Sequence, residues 1–167
     1  MKVITSSVWL SLILLFSVIS EAQEVPEFTI RTIDDEVISS KNELGKRPTY
    51  IVFWATWCPS CLREIPNIKV INEKYGDDIM LVAVNIDRTH FWYKLTTSES
   101  KQPVREYLKK QGIDYKVALD DENILSSLFN VRGTPTQILI DKKGIVRQIF
   151  HLMPSDIIST IDQLVKE

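Results

Sequence analysis

One short stretch constrains this chain more than any other: two cysteines separated by two residues, set between a dense apolar run and a helical pattern. Trp57-Cys58-Pro59-Ser60-Cys61 follows Tyr50-Ile51-Val52-Phe53-Trp54-Ala55, whose β-branched and aromatic content is that of a fully buried strand. It precedes a segment in which Leu62, Ile65, Ile68 and Ile71 recur at helical spacing. The cysteines therefore fall where a strand ends and a helix begins. Pro59 suits the first turn of that helix, because its missing N–H would have no partner there.

That placement has chemical consequences. A helix N-terminus carries free N–H groups and the positive end of the macrodipole, so it favours an anion. A thiol there ionises more readily, and the thiolate is the attacking species. Cys58 stands nearest the open end and is the better nucleophile. Cys61, three residues on, lies on the same face and is placed to resolve a mixed disulfide. A structural disulfide across two residues would constrain little of the unfolded chain. A zinc site needs about four ligands, and the two histidines, His90 and His151, lack ligand spacing. Redox catalysis is the reading that accounts for the tryptophan, the proline and the helix start together.

At 167 residues the chain suits one domain with a sizeable core. Its net charge of −2, without a basic block, offers nothing to nucleic acid and no polybasic membrane patch. Residues 1–22 read separately: Lys2 gives a positive start, Val8 to Ile19 an apolar run, and Ser20-Glu21-Ala22 a small-residue cleavage site. Twelve helical residues rise only about 18 Å, short of a bilayer core. A cleaved export signal, with a mature chain from near Gln23, is expected, and an uncleaved anchor is the competing reading. Export to a periplasm or cell envelope would normally turn cysteines into structural staples. Here there are only two, both in one motif, so the pair is free for chemistry.

Residues 23–167 read as one α/β domain. Phe28, Ile30 and Ile33 alternate, Asp34-Asp35-Glu36 turns, and Val37-Ile38 returns, which makes an N-terminal hairpin. Ser39 or Ser40 caps a short helical turn ended by Gly45. The buried strand and the active-site helix follow, the helix running to about Tyr75 with Pro66 inside it. Ile79 to Ile86 is a second buried strand, parallel to the first. The segment from Arg88 to Ser100 is irregular and aromatic (Phe91, Trp92, Tyr93). It leaves on the side where Cys58 emerges, and either meets partner proteins or only covers the sheet. Next come a helix from Gln102 to Gln111, a short strand at Val117-Ala118-Leu119, and a helix from Asn123 to about Asn130 capped by Asp120 or Asp121. Gly133-Thr134-Pro135-Thr136 then leads into a strand at Gln137–Ile140. A hairpin strand follows over Ile145 to Phe150, and a last amphipathic helix capped by Ser155.

With both the cysteine motif and the Thr-Pro strand start in hand, the chain resembles the thioredoxin superfamily. More narrowly it resembles the exported TlpA/ResA/CcmG (DsbE) group of thiol–disulfide oxidoreductases. The residues that carry this are Phe53 to Cys61, Glu64 with Pro66, Gly133-Thr134-Pro135-Thr136, and Gly45-Lys46 ahead of the buried strand. The resemblance implies a thioredoxin fold, a central mixed sheet flanked by helices with the hairpin as an extension. It implies that Cys58 attacks, that Cys61 resolves, and that Pro135 follows a cis peptide beside the dithiol. It also implies that Glu64 is the acidic residue near the cysteines. Trp57, Pro59, Thr134 and Pro135 would line the substrate side. Disulfide-bearing exported proteins, apocytochrome c among them, would be the partners, with a membrane thiol protein as electron donor. No cofactor beyond the dithiol, and no metal, is implied. Where the group often carries glycine in the preamble turn, this chain has Asp35-Glu36.

The residues bear on these expectations independently. Glu64 is three residues past Cys61 and so on its face of the helix, although a solvated surface glutamate is an alternative. An X-Pro bond can be cis at modest cost, and a trans proline starting an edge strand is the lesser alternative. Trp54 reads as core and Trp57 as an exposed apolar rim beside the nucleophile. A reductase is the favoured direction. An oxidase or isomerase, a binding module that has kept the fold, and a peroxidase are the rivals.

Overall fold

The computed structural model describes residues 24–87, 102–120 and 122–167. The leader at residues 1–22 and the aromatic residues Phe91, Trp92 and Tyr93, with His90, lie outside them. The elements in order are β1 (Thr29–Arg31), β2 (Val37–Ser39), α1 (Ser40–Glu43), β3 (Thr49–Trp54), α2 (Pro59–Tyr75) and β4 (Met80–Asn85). They continue with α3 (Gln102–Gln111), β5 (Lys116–Leu119), α4 (Ile124–Leu128), β6 (Thr136–Ile140), β7 (Val146–Phe150) and α5 (Ile157–Lys166).

Five strands form one mixed sheet in the order β5-β4-β3-β6-β7. Every residue of β3, β4 and β6 is buried, as their largely apolar runs require of central strands covered on both faces. β3 pairs with β4 in parallel and with β6 antiparallel, Trp54 lying opposite Asn85 and Phe53 opposite Thr136. The polar residue at each of these pairings marks the end of the sheet where the cysteines emerge. Ile51, Phe53, Val82, Ile138 and Ile140 fill the centre, and each such side chain contributes roughly 1.5–3 kcal/mol by leaving water. This is the expected thioredoxin fold: a mixed sheet with helices around it.

The N-terminal hairpin β1–β2 is a sheet of its own that covers an edge of the main one. Ile33 N–H donates to Val117 O at 2.7 Å, and Thr32 bridges Ala118, so β5 is not left with a bare edge. The hairpin turns at Asp35 with φ +67°, the left-handed conformation that favours glycine.

Three helix starts differ from expectation. Ser39 makes no capping bond, and Ser40 turns its hydroxyl back to accept Phe28 N–H at 2.8 Å. Asp120 does cap α4, its two oxygens accepting from Leu125 and Ser126 N–H. It does so from outside, because Asn123 takes a left-handed turn before the helix, which is shorter than expected. In α5 the residue at the start is Asp156 rather than Ser155, and it offers its backbone carbonyl, not its side chain, to Thr160 N–H and to the hydroxyls of Ser159 and Thr160. The buried stripe of α2 keeps the expected Ile65, Ile68 and Ile71. It runs Cys61, Glu64, Ile65, Ile68, Ile71 and Tyr75, while Leu62 is only half-buried.

Candidate active site

The dithiol is built by a tight turn between β3 and α2. Cys58 N–H donates to Ala55 O at 3.2 Å, which closes the turn Ala55-Thr56-Trp57-Cys58. Cys58 then stands at the N-cap of α2 in extended conformation, with Pro59 at the first helical position. Of the helix's first N–H groups, that of Pro59 is missing by chemistry and that of Cys61 points at Cys58 Sγ, 3.2 Å away. The two sulfurs are joined in a disulfide, with Cα atoms 5.3 Å apart. When that bond is reduced, the Cys61 N–H and the helix dipole favour an anionic sulfur at Cys58. Ser60 Oγ lies 3.5 Å from the same sulfur. Both cysteines are nearly closed to solvent (4% and 3% exposed), while Trp57 beside them is 45% exposed and forms a rim.

β6 brings the second expected feature to the same place. The Thr134–Pro135 peptide is cis. Because Phe53 pairs with Thr136, this proline stands across from the end of β3, next to the strand that delivers the cysteines. Thr136 fixes its surroundings: its hydroxyl donates to Gly133 O at 2.7 Å and lies 3.1 Å from His151 Nδ1. The loop after β7, which carries His151 and the exposed Leu152, is thereby tied to the proline loop. His151 was not among the expected site residues, and only this strand register reveals its position.

Glu64 is buried (8% exposed), so it is not a solvated surface glutamate. Its Oε2 accepts from Gln137 Nε2 at 2.8 Å and its Oε1 from Met153 N–H at 2.8 Å. Gln137 is fully buried and is oriented in turn by the Tyr50 hydroxyl, which donates to its Oε1. Tyr50 and Val52 share a face of β3, and Gln137 pairs with Val52, so tyrosine and glutamine are diagonal neighbours across the strands. One carboxylate thus joins the active-site helix, the strand after the cis proline and the loop after β7. Burial pushes the Glu64 carboxyl above the ordinary carboxylate range, against the pull of the Met153 N–H, the Arg63 charge and the Gln137 amide. Burial, and then the Glu64 charge, hold the Tyr50 phenol neutral far above its usual range. The one signal for this chain in the sequence is a glutamine inside an otherwise apolar buried strand. No group of three or more His, Cys, Asp or Glu side chains placed to hold a metal occurs among the described residues.

Comparison with known proteins agrees with this construction. The Redoxin family model matches residues 20–164. The thioredoxin-like protein YneN of Bacillus subtilis is 29% identical over 131 residues, 78% of this chain and 71% of that protein. The thiol-disulfide oxidoreductase ResA of the same organism is 27% identical over 150 residues, 89% of this chain and 77% of that protein. Among solved structures, StoA from Bacillus subtilis superposes with a TM-score of 0.67 at 24% identity, over 83% of this chain and 97% of that one. At that identity it speaks for the fold alone. With a Cys-x-x-Cys disulfide at the head of α2, a cis proline just ahead of the neighbouring strand β6 and a family match over most of its length, the chain belongs to the Redoxin family, among its thioredoxin-like oxidoreductases.

Proposed function

We propose that the chain is a reductase of disulfides in exported proteins, working through the Cys58/Cys61 dithiol. The observation that carries the direction is the buried Glu64, one turn beyond Cys61 on the same face of α2. Residues three apart on a helix are neighbours, about 5–6 Å between Cβ atoms. A carboxylate at that range opposes a thiolate, so it makes the reduced, ionised form less favourable. Dithiol proteins are strong oxidants when their reduced form is stabilised, and the reverse arrangement makes a reductant. Substrate would enter as an extended segment along Trp57 and the Thr134–Pro135 loop, where a proline without an N–H leaves Thr134 to offer backbone groups. Cys58 would attack one substrate sulfur and release the other as a thiol. Cys61 would then displace the substrate, closing the Cys58–Cys61 disulfide. A thiol donor at the membrane would return the pair to its reduced form, and exported proteins such as apocytochrome c would be its substrates.

The test is the reduction potential of the pair, by equilibration with glutathione and dithiothreitol. A value nearer the about −270 mV of thioredoxin than the about −120 mV of a strongly oxidising dithiol protein is expected. A value at the oxidising end would reverse the direction and make the protein an oxidase or isomerase.

Export is the second part of the proposal. It rests on the charged start, apolar run and small-residue site within residues 1–22. Among the described residues no helix is long and apolar enough to cross a membrane. Mass spectrometry of the protein recovered from the cell envelope should find a terminus near Gln23. An intact Met1 on membrane-bound protein would establish an anchor instead.

A further inference from the structure

A second buried carboxylate stands beside the cysteine turn on the β4 side of β3, opposite β6, the strand whose Gln137 holds Glu64. β4 runs parallel to β3, Trp54 pairs with Asn85, and Ile86 N–H donates to Trp54 O at 3.0 Å, so the chain beyond β4 passes beside the turn that follows β3. Asp87, there, is 0% exposed. Its Oδ1 accepts from Thr56 N–H at 2.7 Å and its Oδ2 from the Thr56 hydroxyl at 2.8 Å. Its own N–H is held by Asn85 Oδ1 at 3.2 Å. Burial pushes the Asp87 carboxyl above the ordinary range, and the two Thr56 bonds and Asn85 pull against it.

Thr56 is the second residue of the turn Ala55–Cys58, whose single closing bond is Cys58 N–H to Ala55 O. A turn of this kind uses the carbonyl of its first residue and the N–H of its fourth, leaving the second residue's N–H to find an acceptor elsewhere. Asp87 provides it and takes the hydroxyl as well, so that neither polar hydrogen of Thr56 is free to let the turn swing. The next two residues are Trp57 on the rim and Cys58 at the helix start. A buried carboxylate with both oxygens committed to one threonine is costly to keep for packing alone, since a neutral acceptor would satisfy that N–H with less desolvation.

We propose that Asp87 is a positioning residue for the thiol chemistry, gripping both polar hydrogens of Thr56 and thereby setting Cys58 against the N-terminus of α2. It acts through Thr56, without need to touch either sulfur. The inference rests on Cys58 as the attacking thiol, and the experiment separates the two.

The assay is single-turnover attack on a small aromatic disulfide, which forms one Cys58 mixed disulfide and releases one aromatic thiol. It is run on Cys61→Ala protein, whose one thiol is Cys58, at a temperature where circular dichroism shows every variant folded. Thr56→Val and Asp87→Ala should each slow the attack about tenfold, the scale of a modest misplacement of a reacting group. The double variant should be no slower than either, because the two residues act as a unit. Thr56→Ser keeps both polar hydrogens, and Asp87→Asn keeps an acceptor for the Thr56 N–H while its amide can donate to the Thr56 hydroxyl oxygen, so both should stay within about twofold of the parent. Additive losses of about a hundredfold, or unchanged rates alongside lower melting temperatures, would overturn the proposal, as would Asp87→Asn as slow as Asp87→Ala. Cys58→Ala protein in the same assay is the separate control. If it reacts faster than Cys61→Ala protein, the nucleophile has been misassigned, whatever the clamp does.

Discussion

Cys58→Ala protein should lose insulin disulfide reduction by about three orders of magnitude or more, down to the background of the added reductant. Cys61→Ala protein should behave differently, accumulating one mixed disulfide per chain that survives until an external thiol removes it. Solvent exposure does not separate the two sulfurs, since both are nearly closed. Their place relative to α2 does. Cys58 precedes the first helical residue and receives the Cys61 N–H, whereas Cys61 lies within the helix, on the stripe that continues to Glu64 and Ile65. A group outside the helix end gains from the unpaired N–H groups and the dipole, and a group within the first turn already spends its backbone on that end. The measurement is turbidity for turnover and intact mass spectrometry for the trapped adduct. Normal turnover by Cys61→Ala protein, with trapping by Cys58→Ala protein, would exchange the two roles.

How much of this was legible beforehand depends on the range of the interaction. The strand over Thr49–Trp54 and the helix from Pro59 could be read because a dense apolar run and a 3.6-residue period are local patterns. The parallel β3–β4 pair followed from the helix between them, and the cis bond before Pro135 was an implication of family resemblance that the backbone carries out. What escaped was set by strand register. Gln137 meets Glu64 from 73 residues away and Tyr50 meets Gln137 from 87, and a register is fixed only when the sheet assembles. Asp87 and Thr56, 31 residues apart, escaped for the same reason: each is an ordinary polar residue until the two parallel strands end side by side. The caps failed differently. Ser39, Ser155 and Asp156 all have the side chains a cap needs, yet none makes the side-chain bond, and Ser40 commits its hydroxyl to the Phe28 N–H instead. On α2 the apolar spacing located the buried Ile65, Ile68 and Ile71, and it erred only in counting Leu62, which is half-buried.

Glu64→Gln protein should show its thiols alkylated at lower pH than wild type, and should resolve mixed disulfides about a hundredfold more slowly, the ordinary scale of a lost general base. The first effect follows from charge: removing a carboxylate next to Cys61 removes the repulsion that disfavours a thiolate. The second follows from proton accounting, because Cys61 must lose its proton before it can displace substrate from Cys58, and in the proposed mechanism Glu64, one turn away, takes it. With its carboxyl held above the ordinary range by burial, that acceptor becomes available as pH rises through its raised value, so wild-type resolution should climb there and the variant should lack that limb. Stability has the opposite slope. A carboxyl whose folded value is raised binds its proton more tightly in the folded state, so its contribution is present below the ordinary carboxylate range and is lost as pH rises through the raised value. Replacing it by glutamine should flatten that decline in thermal unfolding measured against pH, though not abolish it, because Asp87 is raised as well. The variant will also be weakened outright, by about 1–3 kcal/mol. Its amide has one acceptor for two donors, Met153 N–H and the Gln137 amide, and turning Gln137 to compensate would take the acceptor from the buried Tyr50 hydroxyl. A loss of stability alone moves neither an alkylation profile nor a resolution rate measured on folded protein. If both coincide with wild type, Glu64 is a buried brace between α2, β6 and the loop at Met153, and some other group takes the proton of Cys61.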